Sequence, residues 1–322
     1  MKDEVWVLGA SGRTGRLIAR RLHEAGVPLV LVGRDRERLE GVAAELGGAP
    51  RLLVGSLGSN LATLAQDAPG VVVNTVGPFA TNAPEVAGAC PPGTHYVDVA
   101  NELSAVETIL GLDRHAAARD QVHVTGAGFG VLATESVLLR LCEGRPPATR
   151  VRVDALASIA LEAGVVGPAL AGTIVEILSF GGREVRHGRL VRSRSAAHPV
   201  RLTTPDGDVV GTGGGASGEL ITAWRASNAD SVIAASGEAS IERNRAYRLA
   251  GRVSDRPPSR RPPLRRQRIA RIPLRAQVMP RASSWAHAAR TGQTARSAKA
   301  GSGSATARTS PPRSQRTSPG DC

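Results

Sequence analysis

Short apolar runs alternate with longer segments of helical periodicity through roughly the first 130 residues. The runs have the length and composition of buried strands, and the segments between them repeat apolar residues at three- and four-residue spacing. This alternation predicts an α/β fold with a parallel sheet covered by helices on both faces. The predicted strands are 4–8, 28–32, 51–54, 71–74, 96–99 and 122–125, and the predicted helices end near 25 and 47 or cover 60–68, 83–90 and 112–119.

A different pattern follows a further predicted helix at 134–141. A long strand at 150–161 and a short helix at 172–178 come next, and strand-like alternation returns near 184–191 and 200–203. This succession of elements predicts a second, smaller α+β domain, either complete or truncated.

The strongest motif is a G-x-x-G-x-x-G turn directly between the first strand and the helix after it. Gly9 permits a tight turn, Gly12 lets the backbone approach a pyrophosphate, and Gly15 allows the helix to pack closely on the strand. The free N–H groups and the positive dipole of the helix N-terminus favour the same anion. The alternative is a glycine turn without a ligand. We predict a dinucleotide site formed by Gly9, Ser11, Gly12, Arg13, Thr14 and Gly15.

The end of the second strand distinguishes between the two nicotinamide cofactors. An NAD site usually has an acidic residue there to bind the ribose hydroxyls, whereas this chain has Arg34. A guanidinium can pair with the 2′-phosphate of NADP(H), which a carboxylate would repel. Arg36 and Arg38 can reinforce that pairing. The alternative is an ordinary charged helix start in solvent; we predict NADP(H).

Residues 74–79 form the loop after the fourth strand, at the sheet edge where ligands bind in such folds. Gly77 and Pro78 favour a backbone bend, and the ring of Phe79 is placed to form a wall of a nicotinamide pocket. The alternative is a plain connection between strand and helix. The residues expected to contact the cofactor are Asn74, Val76, Gly77 and Pro78.

Tyr96 and Asp98 lie two residues apart on the fifth strand, so their side chains project from the same face. We predict them as the catalytic candidates, a proton donor and an electrostatic stabiliser near the nicotinamide. The alternative is that the Tyr96 hydroxyl is satisfied in the core and that Asp98 caps a turn. The Tyr-x-x-x-Lys pair of short-chain dehydrogenases is absent, because Ala100 follows Tyr96 at that spacing and Gly251 follows Tyr247.

Other chemistries are disfavoured by residue usage. Lys2 and Lys299 are the only lysines, which argues against Schiff-base and P-loop lysine mechanisms. Cys90, Cys142 and Cys322 fit neither a disulfide framework nor a zinc site, and no His, Asp or Glu set has metal-ligand spacing. Without a leader pattern or an apolar run of about 18 residues, a cytoplasmic chain without a membrane span is expected.

The net charge of +13 is concentrated in the C-terminal segment, 252–322. Sixteen of the 41 Lys and Arg residues lie there with two of the 28 acidic residues, which leaves a net charge of −1 for 1–251. The segment has no sustained apolar period, so we predict a disordered tail. It is an arm for nucleic acid or an anionic membrane, an inert extension, or the product of reading GC-rich DNA out of frame. Trp285 is its one aromatic residue for base stacking, which disfavours nucleic-acid binding.

Residues 4–251 contain a series of short motifs whose order and spacing resemble those of the saccharopine dehydrogenase-like oxidoreductases, including their bacterial trans-acting enoyl reductase branch. Gly130 and Ala133 depart from the family, which often has an aspartate after its Gly-Phe pair and a proline three residues later. Family members also usually continue as ordered protein well beyond position 251. The matching pieces are 9–15, 32–34, 74–79, 93–98 with Glu102, 126–129 and 172–173.

The resemblance implies an NADP-binding Rossmann domain, here 1–130, with a doubly wound parallel sheet. An α+β domain over 131–251 would then shape the substrate pocket. We separately expect this domain to offer a surface for a homodimer. The implied activity is hydride transfer to an imine or enoyl double bond of a small-molecule or acyl substrate. A non-catalytic NADP(H)-binding sensor or partner protein is the alternative function.

Overall fold

The computed structural model describes residues 3–156, 180–205, 207, 209–237 and 285–290. Its first part alternates strands and helices, as the hydrophobic pattern predicts. The elements are β1 (Val5–Leu8), α1 (Arg13–Glu24), β2 (Leu29–Gly33), α2 (Arg36–Leu46), β3 (Arg51–Val54), α3 (Leu57–Asp67), β4 (Val71–Asn74), α4 (Phe79–Ala89), β5 (His95–Asp98), α5 (Leu103–Gly111), α6 (Asp113–Ala117) and β6 (His123–Val124).

These six strands form one parallel sheet in the order β3-β2-β1-β4-β5-β6. The register places Val7 of β1 opposite Leu31 on one side and Val73 on the other. The strand order is that of the doubly wound Rossmann fold, and the order reverses between β1 and β4. The predicted fold class is therefore confirmed, and the reversal point places the ends of β1 and β4 side by side.

The alternation of side chains along the strands explains why helices cover both faces. Val7 and Leu31 pack on one face with α1 and α2, in a cluster that includes Leu39. Trp6 and Leu8 point to the opposite face and join a larger cluster with α3, α4 and α5. Because neither face is left to solvent, the strands read as unbroken apolar runs in the sequence.

The second part is built on a mixed sheet with the path β10-β11-β12-β7-β13, to which a β8–β9 hairpin is attached through β12. Strand β7 pairs parallel with β12 and antiparallel with β13. Its elements are α7 (Phe129–Cys142), β7 (Arg150–Leu156), β8 (Gly182–Arg186), β9 (Arg189–Ser193), β10 (Ala197–Thr203), β11 (Val209–Gly214), α8 (Gly218–Ser227), β12 (Ser231–Gly237) and β13 (Trp285–Arg290).

One hydrophobic core runs through both parts. Leu220 and Ala223 of α8 belong to the same buried cluster as Val106 and Ile109 of α5 and Val151 of β7. Helix α8 packs against α5 and α7 and against strands β7 and β12 of the second sheet. Gly218 N–H, in its first turn, donates to the Asn101 carbonyl oxygen in the loop after β5. This packing brings residues of the second part to the edge where the dinucleotide site is predicted.

Several elements differ from the predicted ones. The predicted helix at 112–119 is preceded by α5, which was not predicted. Its buried residues Leu103, Val106 and Ile109 recur at helical spacing, and Glu107 and Thr108 are exposed between them. Strands β11 and β12 were not predicted, because their glycine, alanine and serine content masks a strand pattern. Helix α8 was not predicted either. The predicted helix at 172–178, residues 157–161 of the predicted strand, the Gly172-Thr173 piece and the predicted tail other than β13 lie outside the described residues.

Candidate functional site

The glycine turn after β1 is fixed at the reversal point of the first sheet. Gly9 has a φ of 78°, in the left-handed region that favours glycine. The N–H groups of Gly9 and Ala10 both donate to the Val32 carbonyl oxygen, at 2.9 and 3.2 Å. Gly12 N–H donates to the Gly9 carbonyl at 2.9 Å and closes the turn. The end of β2 therefore holds the turn directly in front of α1.

Close packing of α1 on the turn depends on Gly15. A Cβ atom at this position would overlap the Gly9 carbonyl oxygen and lie 2.8 Å from the Gly9 carbonyl carbon. Both obstacles are backbone atoms, which cannot rotate away. The motif predicts that Gly15 allows close helix–strand packing, and the structure places the helix against the turn at this residue.

The N-terminus of α1 offers N–H donors to an anion. Its N-cap residue, Gly12, has no side chain to accept a hydrogen bond, and the first turn contains no acidic residue. Arg13 and Thr14 are exposed in that turn, and Ser11 is half-buried before it. The first N–H groups of a helix and its dipole together favour a negatively charged ligand.

The three arginines after β2 have different surroundings. Arg38 Nη2 donates to the Ser11 carbonyl oxygen at 3.2 Å, so it braces the glycine turn. Arg36 lies 3.6 Å from Glu40 on the solvent side of α2. Arg34 is exposed and makes neither an ion pair nor a hydrogen bond with the described part of the chain. Its guanidinium is thus available to a ligand phosphate.

The loop after β4 is shaped by the side chain of Asn74, which is fully buried. Its Oδ1 accepts from Val76 N–H at 3.0 Å, and the Thr75 hydroxyl donates to the Leu8 carbonyl at 2.7 Å. The Gly77–Pro78 peptide bond is cis. Asn74 therefore holds the loop from inside, and Val76, Gly77 and Pro78 are its more accessible residues.

Phe79, predicted to form a wall of the nicotinamide pocket, is largely buried. It is 8% exposed and belongs to the larger core cluster at the start of α4. A Cβ at Gly77 would lie 3.9 Å from the Phe79 ring, so the ring lies close to the loop after β4. Its contact with the nicotinamide stays a prediction.

Tyr96 and Asp98 project from the same face of β5, as the two-residue spacing predicts. Both are fully buried. Asn74 Nδ2 donates to Tyr96 Oη at 3.1 Å, and Tyr96 Oη donates to Asp98 Oδ2 at 3.0 Å. The other oxygen, Oδ1, accepts from Ala100 N–H at 3.0 Å and from Gly126 N–H at 2.8 Å. The network joins the loops after β4, β5 and β6 into one body.

The electrostatics agree with an internal role for this pair. Burial first, and the nearby Asp98 carboxylate second, raise the pKa of Tyr96 far above its usual value. A hydroxyl that is enclosed, hydrogen-bonded and this weakly acidic does not readily exchange protons with a substrate. The geometry favours the alternative in which the Tyr96 hydroxyl is satisfied in the core and Asp98 caps a turn.

A buried carboxyl that was not predicted lies at the same sheet edge. Glu219, in the first turn of α8, is 3% exposed, and burial raises its pKa, opposed in part by hydrogen bonds from Ser217, its own N–H and Asn101. A Cβ at Gly130 would overlap Glu219 Oε1, so this carboxyl occupies the space that a side chain at 130 would need. The sequence signal was the single acid in the otherwise apolar start of α8.

The described residues contain no group of three or more His, Cys, Asp or Glu side chains arranged to hold a metal ion. None of their helices combines the length and the apolar character needed to cross a membrane. Cys90, at the end of α4, is fully buried, and burial raises the pKa of its thiol to about 12.

No protein-family model and no curated protein matches the chain. Among solved structures, it is similar to apo saccharopine dehydrogenase (L-Glu forming) from Saccharomyces cerevisiae, with 12% identity and a TM-score of 0.49 over 73% of this chain and 55% of that one. The likeness concerns the fold. This chain spans little more than half the length of the yeast enzyme.

Two further structures cover a smaller part of the chain. One is a short-chain dehydrogenase from Sphingobium yanoikuyae in complex with NADPH, with 21% identity and a TM-score of 0.34 over 38% of this chain and 69% of that one. The other is a bulky-bulky ketone specific alcohol dehydrogenase from Comamonas testosteroni, with 17% identity and a TM-score of 0.33 over 37% of this chain and 71% of that one.

Proposed function

We propose that this chain is an NADP(H)-dependent oxidoreductase. Two features of the same sheet edge carry the proposal. One is the helix N-terminus behind the glycine turn, whose N-cap has no side chain to accept a hydrogen bond, and the other is the guanidinium of Arg34, which has no partner in the described part of the chain. The turn and Arg34 are connected through Val32, whose carbonyl accepts from Gly9 and Ala10. Backbone donors for a pyrophosphate and a cation for a 2′-phosphate thus belong to one rigid unit.

When bound, NADPH supplies the hydride, and the protein's part is to bind and orient it. We assign the pyrophosphate to the turn residues Gly9, Ser11 and Gly12 and to the backbone of Arg13 and Thr14. Arg34 pairs with the 2′-phosphate. The loop residues Val76, Gly77 and Pro78 border the cofactor at the end of β4. Asn74, Tyr96 and Asp98 are buried below these loops. Their role is to hold the loops that contact the cofactor in position.

The substrate part of the proposal is an imine or enoyl double bond of a small-molecule or acyl compound. It rests on the motif resemblance and on the position of α8, which brings the second part of the chain to the cofactor edge. The test is a panel of enoyl thioesters and of 2-oxo acids with amines, followed by loss of NADPH absorbance with the purified full chain. NADPH-dependent reduction of one class is expected.

A second candidate is an NADP(H)-binding protein without turnover, such as a sensor. It is favoured by the enclosure of Tyr96 and Asp98, whose side chains are both fully buried and hydrogen-bonded within the protein. The same panel separates the candidates. Reduction of no acceptor by a chain that binds NADPH tightly would favour the sensor and contradict the oxidoreductase.

Asp98→Asn tests whether this pair is structural. The change removes a buried carboxylate that accepts from Tyr96 Oη, Ala100 N–H, Thr125 Oγ1 and Gly126 N–H. Because hydrogen bonds to charged groups contribute roughly 1.5–3 kcal/mol each, we expect the free energy of unfolding to fall by about 2–3 kcal/mol. Urea denaturation followed by circular dichroism measures the loss.

The matched control is Asp113→Asn, the same change at an exposed residue of α6, where the effect should stay within about 0.5 kcal/mol. Unchanged stability of Asp98→Asn, with turnover reduced a hundredfold or more, would restore the catalytic assignment of Asp98.

A further inference from the structure

Three segments meet at the carboxyl edge of the first sheet, which we call the edge junction: residues 99–102 after β5, 126–130 before and into α7, and 217–219 at the start of α8. Gly218 N–H donates to the Asn101 carbonyl at 2.8 Å. Glu102 and Ser217 form an isolated β-bridge beside it. The edge junction is thus where the second part of the chain is bonded to the first.

The three segments of the edge junction approach one another closely because two of their residues, Gly130 and Gly218, are glycines. A Cβ at Gly218 would lie 2.9 Å from both Val106 Cγ2 and Val131 Cγ2. A Cβ at Gly130 would overlap Glu219 Oε1 and lie 3.4 Å from its Cδ. The Glu219 carboxyl therefore has a definite position, enclosed between α7 and the loop after β5, and cannot rotate freely.

Asn101 is the residue whose side chain this carboxyl contacts. In the amide orientation that satisfies its hydrogen bonds, Asn101 Nδ2 donates to Glu219 Oε2 at 2.6 Å and to Oε1 at 3.3 Å. An amide held in this way by its nitrogen presents its carbonyl oxygen on the opposite side, as an acceptor. Asn101 is half-buried, so its amide is not enclosed as the Glu219 carboxyl is.

The position of Asn101 is the one that matters for the cofactor. It follows β5, whose neighbours in the sheet are β4 and β6, and ligands of doubly wound sheets lie beyond the carboxyl ends of the strands. With the pyrophosphate at the glycine turn, the nicotinamide half extends toward β4 and β5. The carboxamide of that ring carries N–H donors, which match a fixed carbonyl acceptor.

We propose that Asn101 accepts a hydrogen bond from the nicotinamide carboxamide, and that Glu219 is the positioning residue that orients its amide. This inference rests on the proposed NADP(H) function. It assigns a role in cofactor orientation to a residue from the second part of the chain.

The test compares two probes with the full chain, NADPH and adenosine 2′,5′-bisphosphate, which lacks the nicotinamide half. Asn101→Ala removes the acceptor. Glu219→Gln keeps the size of the side chain, but its amide nitrogen can donate to Asn101 and turn the Asn101 amide around. For both variants we expect NADPH binding to weaken by about fivefold to tenfold, the equivalent of one hydrogen bond, with unchanged affinity for the bisphosphate. Isothermal titration calorimetry measures both.

Glu135→Gln is the matched control, because it makes the same change at a half-buried carboxyl of α7, and both affinities should stay unchanged. Equal weakening of both probes, or no weakening in either variant, overturns the inference. Weakening by Asn101→Ala alone overturns the role of Glu219. A wild-type chain that binds neither probe would instead refute the proposed function, so the two failures are distinguishable.

Discussion

Replacing Arg34 with aspartate is expected to weaken NADPH binding by about tenfold to a hundredfold and to leave NADH binding within about twofold. The change removes a cation paired with the 2′-phosphate, and hydrogen bonds to charged groups contribute roughly 1.5–3 kcal/mol. It also places a carboxylate where acidic residues bind the ribose hydroxyls of NADH. Titration of each variant with both cofactors, followed by nicotinamide fluorescence, gives the two dissociation constants.

Arg36→Asp is the control for this prediction. It makes the same change in net charge two residues away, at a guanidinium that lies 3.6 Å from Glu40 on the solvent side of α2. Its effect on NADPH should be much smaller than that of Arg34→Asp, since general electrostatic attraction is screened by salt. If Arg34→Asp weakened the affinity for NADPH and for NADH by the same factor, the assignment of Arg34 to the 2′-phosphate would be refuted.

Replacing Gly15 with alanine is expected to abolish tight binding of both cofactors and to destabilise the fold. The new Cβ would overlap the Gly9 carbonyl oxygen and lie 2.9 Å from Ala10 Cα, so α1 must move away from the turn. Overpacking of this kind costs about 1–3 kcal/mol. The displaced helix N-terminus would no longer aim its N–H groups at the pyrophosphate. Thermal unfolding and cofactor titration measure the two effects.

Gly41→Ala makes the same substitution in α2, at an exposed position where no atom lies within 4 Å of the new Cβ. Because alanine loses less conformational freedom than glycine in a helix, this variant should gain roughly 0.5–1 kcal/mol. A Gly15→Ala variant that matched it in stability and bound NADPH normally would contradict the close packing of α1 on the turn.

The first sheet could be predicted from the sequence because each of its strands is buried on both faces. Strands β3 and β4 have the predicted bounds, 51–54 and 71–74. The start of α2 could also be predicted, because aspartate is favoured at the N-cap of a helix. The Asp35 carboxylate accepts a hydrogen bond from Arg38 N–H at 3.1 Å there. Patterns of this kind depend on neighbours in sequence, and they identify elements well.

The second part was harder to predict because its elements lack a clear polar–apolar period. Strand β11 contains three glycines in six residues, and β12 consists mostly of alanine, serine and valine. Such strands are specified by their partners in the sheet and by α8 packed against them, not by their own composition.

In the candidate site too, some features could be predicted from local sequence and others depend on distant parts of the chain. The glycine turn and Arg34 could be identified from residue type and spacing alone. The environment of Tyr96 and Asp98 could not, because their hydrogen-bond partners, Asn74 and Gly126, come from other loops. The contact between Glu219 and Asn101 depends on how α8 packs against α5 and α7, which no local pattern encodes.

The most direct test of the central claim is titration of the purified full chain with NADPH and with NADH under the same conditions. We expect saturable one-to-one binding of NADPH, at least tenfold tighter than NADH, because only NADPH carries the phosphate that Arg34 can pair with. Equal affinity for the two cofactors would contradict the assignment to NADP(H). Binding of neither would contradict the dinucleotide site itself.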